Sequence, residues 1–103
     1  MKAPDAAIAM DALGNEQRLA IYTLLYEAGQ DGLSAREIAE AVGVPPSSLT
    51  FHTQTLMNAG LIDQRREGRS LVYSTDYAAM SALILFLTRK FIGVRAPSKR
   101  KGS

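Results

Sequence analysis

Cysteine and tryptophan are both absent from this chain of 103 residues, and histidine occurs once, at His52. Without cysteine there can be no disulfide, no thiolate metal centre and no thiol redox switch, and a single imidazole is too few nitrogen ligands for a typical zinc or copper site. Oxygen-only ligation stays open, with Asp5, Asp11 and Asp76 as the carboxylates that would supply it, although each is better suited to cap a helix or face water. Long apolar runs are also missing. The longest, Ala82 to Leu87, is far too short to span a bilayer, and the first residues lack the basic segment and apolar stretch of a secretory leader. A cytoplasmic protein with no membrane partner is therefore expected. The chain holds no nucleophile–base pair, no phosphate-cradling glycine loop and no paired carboxylates in a recognisable frame, so neither an enzyme nor a cofactor is expected.

What the chain does have is the material of one ordinary domain. Its hydrophobic fraction is 47% and its charged fraction 21%, values typical of a globular protein. The net charge of +2 conceals an asymmetry: residues 1–60 carry three basic and seven acidic side chains, whereas 61–103 carry nine basic and three acidic. A positive second half suits a polyanionic partner, although a basic end is as often simply solvated. The final stretch, 95–103, contains Pro97, Gly102, two serines and four basic residues. It reads as a disordered basic tail, leaving 1–94 as the folded domain.

Helix signals dominate that domain. Asp5 to Leu13 is alanine-rich and helical in pattern. After Gly14, Asn15 offers a capping oxygen and Glu16 a first-turn carboxylate, and Leu19, Ile21, Leu24, Leu25 and Ala28 follow at helical spacing up to Gly29. Ser34 and Glu37 have the spacing of a capping box, with Ile38, Ala39 and Val42 as the inward face before Gly43. Pro45-Pro46 then makes a rigid turn whose second proline suits the first position of a helix running to Asn58. Leu61 to Arg66 and Ser70 to Ser74 alternate like strands around Glu67-Gly68-Arg69, which predicts a β-hairpin. From the cap candidate Asp76, a last helix runs from Tyr77 to about Gly93 and is apolar almost all the way round between Met80 and Leu87.

Two short helices joined by a tight glycine-containing turn and followed by a basic hairpin form the arrangement that sets one helix in a DNA major groove with a wing beside it. The expected fold is thus mainly α with a small β-hairpin, a winged helix-turn-helix in the order ααααββα. On the reading helix, Ser47, Ser48, Thr50, Phe51 and Gln54 are the candidate DNA-facing residues, and the helix carries no acidic side chain. A merely solvated helix is the plainer alternative. Arg65, Arg66 and Arg69 of the hairpin are candidate phosphate or minor-groove contacts, and alternation alone does not say which of them points outward. His52, between Leu49 and Leu56, is expected to pack and hydrogen-bond rather than to bind a ligand. The last helix has more apolar surface than one short chain can cover, which favours a second copy of the chain in a symmetric dimer.

Several stretches together resemble the arsenic-repressor (ArsR/SmtB) family: Leu13-Gly14-Asn15-Glu16-Gln17-Arg18-Leu19-Ala20-Ile21, Ser34 to Val44, Leu49-Thr50-Phe51-His52, Ala59-Gly60-Leu61-Ile62 and Arg66-Glu67-Gly68-Arg69. The resemblance covers roughly residues 8 to 92. It implies a homodimeric winged-helix repressor whose first and last helices dimerise, here with Ile8, Leu13, Met80, Leu83, Ile84, Leu87 and Phe91 as the interface residues, and whose inducer lowers operator affinity. Members that sense arsenic or metals place paired cysteines on the reading helix or near the end of the last helix; the corresponding place here holds Arg89-Lys90-Phe91. The zinc-sensing set of the last helix is missing apart from Asp76. The expectation is a sequence-specific repressor of a palindromic double-stranded operator that uses no cysteine metal site, with an unidentified small organic inducer as an open partner. The competing readings are a winged-helix module that binds another protein instead of DNA, and the oxygen-ligand metal sensor.

Overall fold

Side-chain capping decides where most of the helices begin. The computed structural model describes residues 1–93; the expected tail at 95–103 lies outside them. Helix α1 (Ala3–Leu13) starts two residues earlier than expected, with a proline in its first turn. Helix α2 (Glu16–Ala28) begins where the Asn15 side chain accepts from the Arg18 backbone N–H at 3.0 Å. Ahead of α3 (Ala35–Val42) the capping box is complete: the Glu37 N–H donates to the Ser34 hydroxyl at 3.1 Å, and the Ser34 N–H donates to the Glu37 carboxylate at 2.8 Å. Each such cap is worth about 1 kcal/mol because it satisfies backbone donors that the helix itself leaves free. Helix α4 (Pro46–Asn58) uses no side-chain cap and relies on Pro46, whose ring presets the helical backbone. Helix α5 (Tyr77–Leu87) is capped by Asp76, which accepts from the Ala79 N–H at 3.1 Å, and it widens into a π-helical turn at Thr88–Ile92.

The β structure is larger than the sequence suggests. Strands β2 (Ile62–Glu67) and β3 (Ser70–Thr75) form the hairpin, in a register that pairs Glu67 with Ser70 and Ile62 with Thr75, leaving Gly68 and Arg69 as the turn. A third strand, β1 (Leu33–Ser34), pairs antiparallel with β3, giving a three-stranded sheet in the order β1-β3-β2. Two residues are too few to show alternation, and Ser34 advertises only its capping role. It serves both: its backbone continues the sheet while its side chain starts α3.

The core lies between this sheet and the helices. Ile21 and Leu25 of α2, Ile38 of α3, and Leu49 and Leu56 of α4 meet Leu61, Ile62 and Tyr73 from the sheet side, all with 5% exposure or less. Full burial of such aliphatic side chains stabilises by about 1.5–3 kcal/mol each. Helix α1 turns Ala6, Ala9 and Ala12 inward, so small side chains let it approach closely. Leu19, one of the residues at helical spacing in α2, is exposed. One expected placement is corrected. Leu83, assigned to the dimer interface, is 3% exposed and belongs to the chain's own core. A helix that is apolar nearly all round gives no sign of which stripe its own domain takes, and α5 spends Leu83 there.

Candidate nucleic-acid interface

The turn between α3 and α4 is built to hold a fixed angle. Gly43 takes a left-handed conformation, with φ 71°, and its N–H closes back on the Ala39 carbonyl at 2.9 Å. Val44 follows and is buried, pinning the turn to the core, and Pro45 leads extended into Pro46. Helix α4 then divides cleanly. Leu49, His52, Thr53 and Leu56 are buried, while Ser47, Thr50, Phe51 and Gln54 are exposed and Ser48 sits half-buried at the edge. Thr50 donates to the Pro46 carbonyl at 3.1 Å, and Gln54 donates to the Asn58 side chain at 3.0 Å; both bonds lie at the surface and exchange readily for other partners. Phe51, 64% exposed, is the largest apolar group on this face.

His52 locks the buried face of α4 to α2. Its Nδ1 lies 3.4 Å from a guanidinium nitrogen of Arg18, and its Nε2 lies 2.9 Å from Gln17 Oε1. Arginine only donates, so Nδ1 accepts, and the neutral ring must carry its proton on Nε2, donating to Gln17. Arg18 also donates from Nε to the Ala12 carbonyl at 2.7 Å, so one guanidinium ties the end of α1, the start of α2 and the reading helix together. The sequence placed His52 in a packed, hydrogen-bonded role but missed its holders. One signal was there: an arginine in the first turn of α2 opposes the helix dipole and so needs another employment. Burial, and then the Arg18 charge, lower the His52 pKa from its usual value of 6.5. The folded form therefore binds its proton less readily than the unfolded chain. Stability from this cluster is complete above about pH 6.5 and is lost as the pH falls below that value. Urea midpoints measured between pH 7.5 and 5.5 are expected to fall with pH in the wild type and to fall less in His52→Gln, which has no titrating ring. Equal slopes would contradict the assignment.

The three hairpin arginines part company. Arg65 donates to the Glu67 carboxylate at 2.7 Å and to the carbonyls of Gln30 and Asp31 at 3.1 and 2.7 Å, so it straps β2 to the turn at Gly29–Asp31. Its guanidinium is engaged by the fold itself and does not project freely, which differs from its expected DNA contact. Arg66 points to the opposite face of the strand, the face on which Ile62 is buried, and Arg69 stands in the turn. Both are exposed, and among the described residues neither makes an ion pair.

Helices α1 and α5 leave an apolar surface. Ile8 and Met10 on α1 are 54% and 42% exposed, and Ile84 and Leu85 on α5 are 56% and 47% exposed. Phe91 is exposed too, and Leu13, Met80 and Leu87 are half-buried. Of the three carboxylates considered for oxygen ligation, Asp76 is occupied as the α5 cap, and no cluster of three candidate metal ligands occurs among the described residues. No helix among them is long and apolar enough to cross a membrane.

A family model described as a helix-turn-helix domain matches residues 13–65, from the end of α1 through the turn and reading helix into β2. The transcriptional regulator YgaV of Escherichia coli is 32% identical over 85 residues, covering 82% of this chain and 84% of the relative. The chain belongs to the ArsR/SmtB family of winged helix-turn-helix regulators. Among solved ArsR/SmtB-like structures, an ArsR-like transcriptional regulator from Rhodococcus sp. RHA1 superposes with a TM-score of 0.76 at 27% identity, covering 88% of this chain and 81% of that one. The fold is shared as well by a homodimeric winged helix-turn-helix DNA-binding domain from Mycobacterium bovis, at a TM-score of 0.68 and 24% identity over 95% of this chain and 89% of that one. Within the ArsR/SmtB frame, α3 and α4 are the helix-turn-helix and β2–β3 is the wing.

Proposed function

We propose that this ArsR/SmtB chain is a homodimeric, sequence-specific regulator acting in the cytoplasm, and that it represses where its operator overlaps a promoter. One observation carries the reading: α4 turns an acid-free face of hydrogen-bonding side chains and one aromatic, Phe51, outward while His52, Leu49 and Leu56 clamp its other face to the domain. A rigidly held helix of this kind reads base edges in a major groove, with Ser47, Thr50 and Gln54 as hydrogen-bonding groups, Ser48 at the margin, and Phe51 placed for a thymine methyl. Arg66 and Arg69 are the phosphate contacts, and Arg65 is the strap that holds the wing in position.

The dimer brings two such helices into play. The exposed apolar residues of α1 and α5 suit a second copy of the chain, and the Mycobacterium bovis neighbour is itself a homodimer. Ile8, Leu13, Met80, Ile84, Leu87 and Phe91 form the proposed interface. A two-fold pair places its reading helices about 34–36 Å apart and so prefers a near-palindromic site. Ile84→Asp puts an unpaired carboxylate into that interface at a cost of about 3–5 kcal/mol. It is expected to run as a monomer in light scattering and to lose about 100-fold in affinity for a palindromic site. A variant that stays dimeric would contradict the interface.

A further inference from the structure

Helix α1 carries Ile8 and Leu13 of the proposed dimer interface, and its last turn holds no basic side chain to offset the negative end of its dipole. Its final carbonyls also lack partners within the helix. Arg18 supplies both needs from α2: its Nε donates to the Ala12 carbonyl at 2.7 Å, one residue from Leu13. Nη1 of the same guanidinium lies 3.4 Å from His52 Nδ1, in the middle of α4. On the other side of the ring Nε2 lies 2.9 Å from Gln17 Oε1, and the Phe51 ring meets the imidazole edge to face, with centres 5.6 Å apart. The imidazole is thus held at both nitrogens, and one of its two holders also holds the dimer helix. A guanidinium is planar, with its N–H directions fixed relative to one another. While both contacts hold, the end of α1 and the middle of α4 cannot shift independently. Thr50, Phe51 and Gln54 lie within two residues of His52 on the same helix, so what fixes His52 fixes the outward face.

We infer that Arg18 is a positioning residue that fixes the angle of the reading helix against the dimer helix, and through that angle the half-site spacing the dimer accepts. This role rests on the dimeric DNA-binding function proposed above. It requires no contact between Arg18 and DNA: the side chain is half-buried and acts through His52. Adding one base pair between two half-sites moves them about 3.4 Å apart and turns one by about 35° relative to the other. Two reading helices held at a fixed angle discriminate between such spacings, and two loosely held helices do not.

The test compares the full-length wild type with Arg18→Gln, which removes the charge and the fork, and Arg18→Lys, which keeps the charge but has no planar fork to serve both partners. Each is titrated with duplexes of a genomically selected operator whose half-sites are moved together or apart by one base pair. The wild type is expected to lose about tenfold in affinity for such a change and the variants less than about threefold, while light scattering shows both variants still dimeric. The contact itself is read by proton NMR. His52 is the chain's one histidine, so its C2 proton gives a single resonance, and its titration midpoint should rise in Arg18→Gln because the neighbouring positive charge is gone. Variants that weaken every spacing by the same factor, an unmoved His52 midpoint in Arg18→Gln, or a wild type that binds all spacings alike would each overturn the role. Should Arg18→Gln fail to fold, the spacing series of Arg18→Lys decides alone. A wild type that binds no duplex refutes the DNA-binding function itself, and this role with it.

Discussion

Replacing Arg66 and Arg69 together by alanine is expected to weaken operator binding by about 100-fold or more near 0.15 M salt and to flatten its salt dependence. Each dimer loses four cations, and each phosphate contact contributes a slope of about −0.9 in log affinity against log salt. The double variant should therefore have a slope shallower by about 3 to 4. Between 50 and 200 mM salt, the wild type should lose roughly 100-fold more affinity than the variant does. The loss should be similar on specific and unrelated sequences, because phosphates carry no base identity. Arg65→Ala provides the contrast. Its guanidinium is held by Gln30, Asp31 and Glu67, so it should lower stability by about 1 kcal/mol and leave the salt slope nearly unchanged. Fluorescence anisotropy at four or five salt concentrations measures both, and equal slopes in wild type and the double variant would remove the wing from the interface.

Gly32→Ala is expected to cost about 3–5 kcal/mol, through backbone strain and overlap together. Gly32 sits at φ 71° and ψ −172°, a region essentially closed to residues with a side chain. An added Cβ would also overlap the Tyr73 carbonyl oxygen and stand 2.9 Å from Val72 Cγ1. The backbone runs this close to β3 because β1 begins at the next residue and pairs Leu33 with Tyr73. In a domain of this size the melting temperature should fall by roughly 15–30 °C. Gly29 has a comparable backbone, φ 75°, but nothing within 4 Å of an added Cβ. Gly29→Ala should therefore cost only the strain, about 1–3 kcal/mol. Thermal unfolding of both variants separates strain from overlap; equal losses would mean that β3 moves aside without cost.

Features whose chemistry is local could be read from the sequence. Asn15, Ser34 with Glu37, and Asp76 announce their helices because a cap and its recipient lie three residues apart, and Pro45-Pro46 fixes where the reading helix starts. Its two faces followed from spacing, and so did the packing of His52. What escaped was decided by distant partners. Strand β1 exists because β3 offers it an edge. Arg65 became a strap because the Gly29–Asp31 turn lies beside the wing; its spacing to Glu67 puts an acidic partner on the same strand face, but the carbonyls of Gln30 and Asp31 that hold it come from outside the hairpin. Leu83 and Ile84 are adjacent residues of similar character, and only the placement of α5 sends one into the core and leaves the other exposed.

Hydroxyl-radical footprinting on a genomic fragment selected by the purified protein tests the central claim most directly. The account predicts two protected patches related by a two-fold axis, their centres about one helical turn apart, with protection lost as salt is raised. Retention of no fragment at 50 mM salt, or a single unpaired patch, would contradict it.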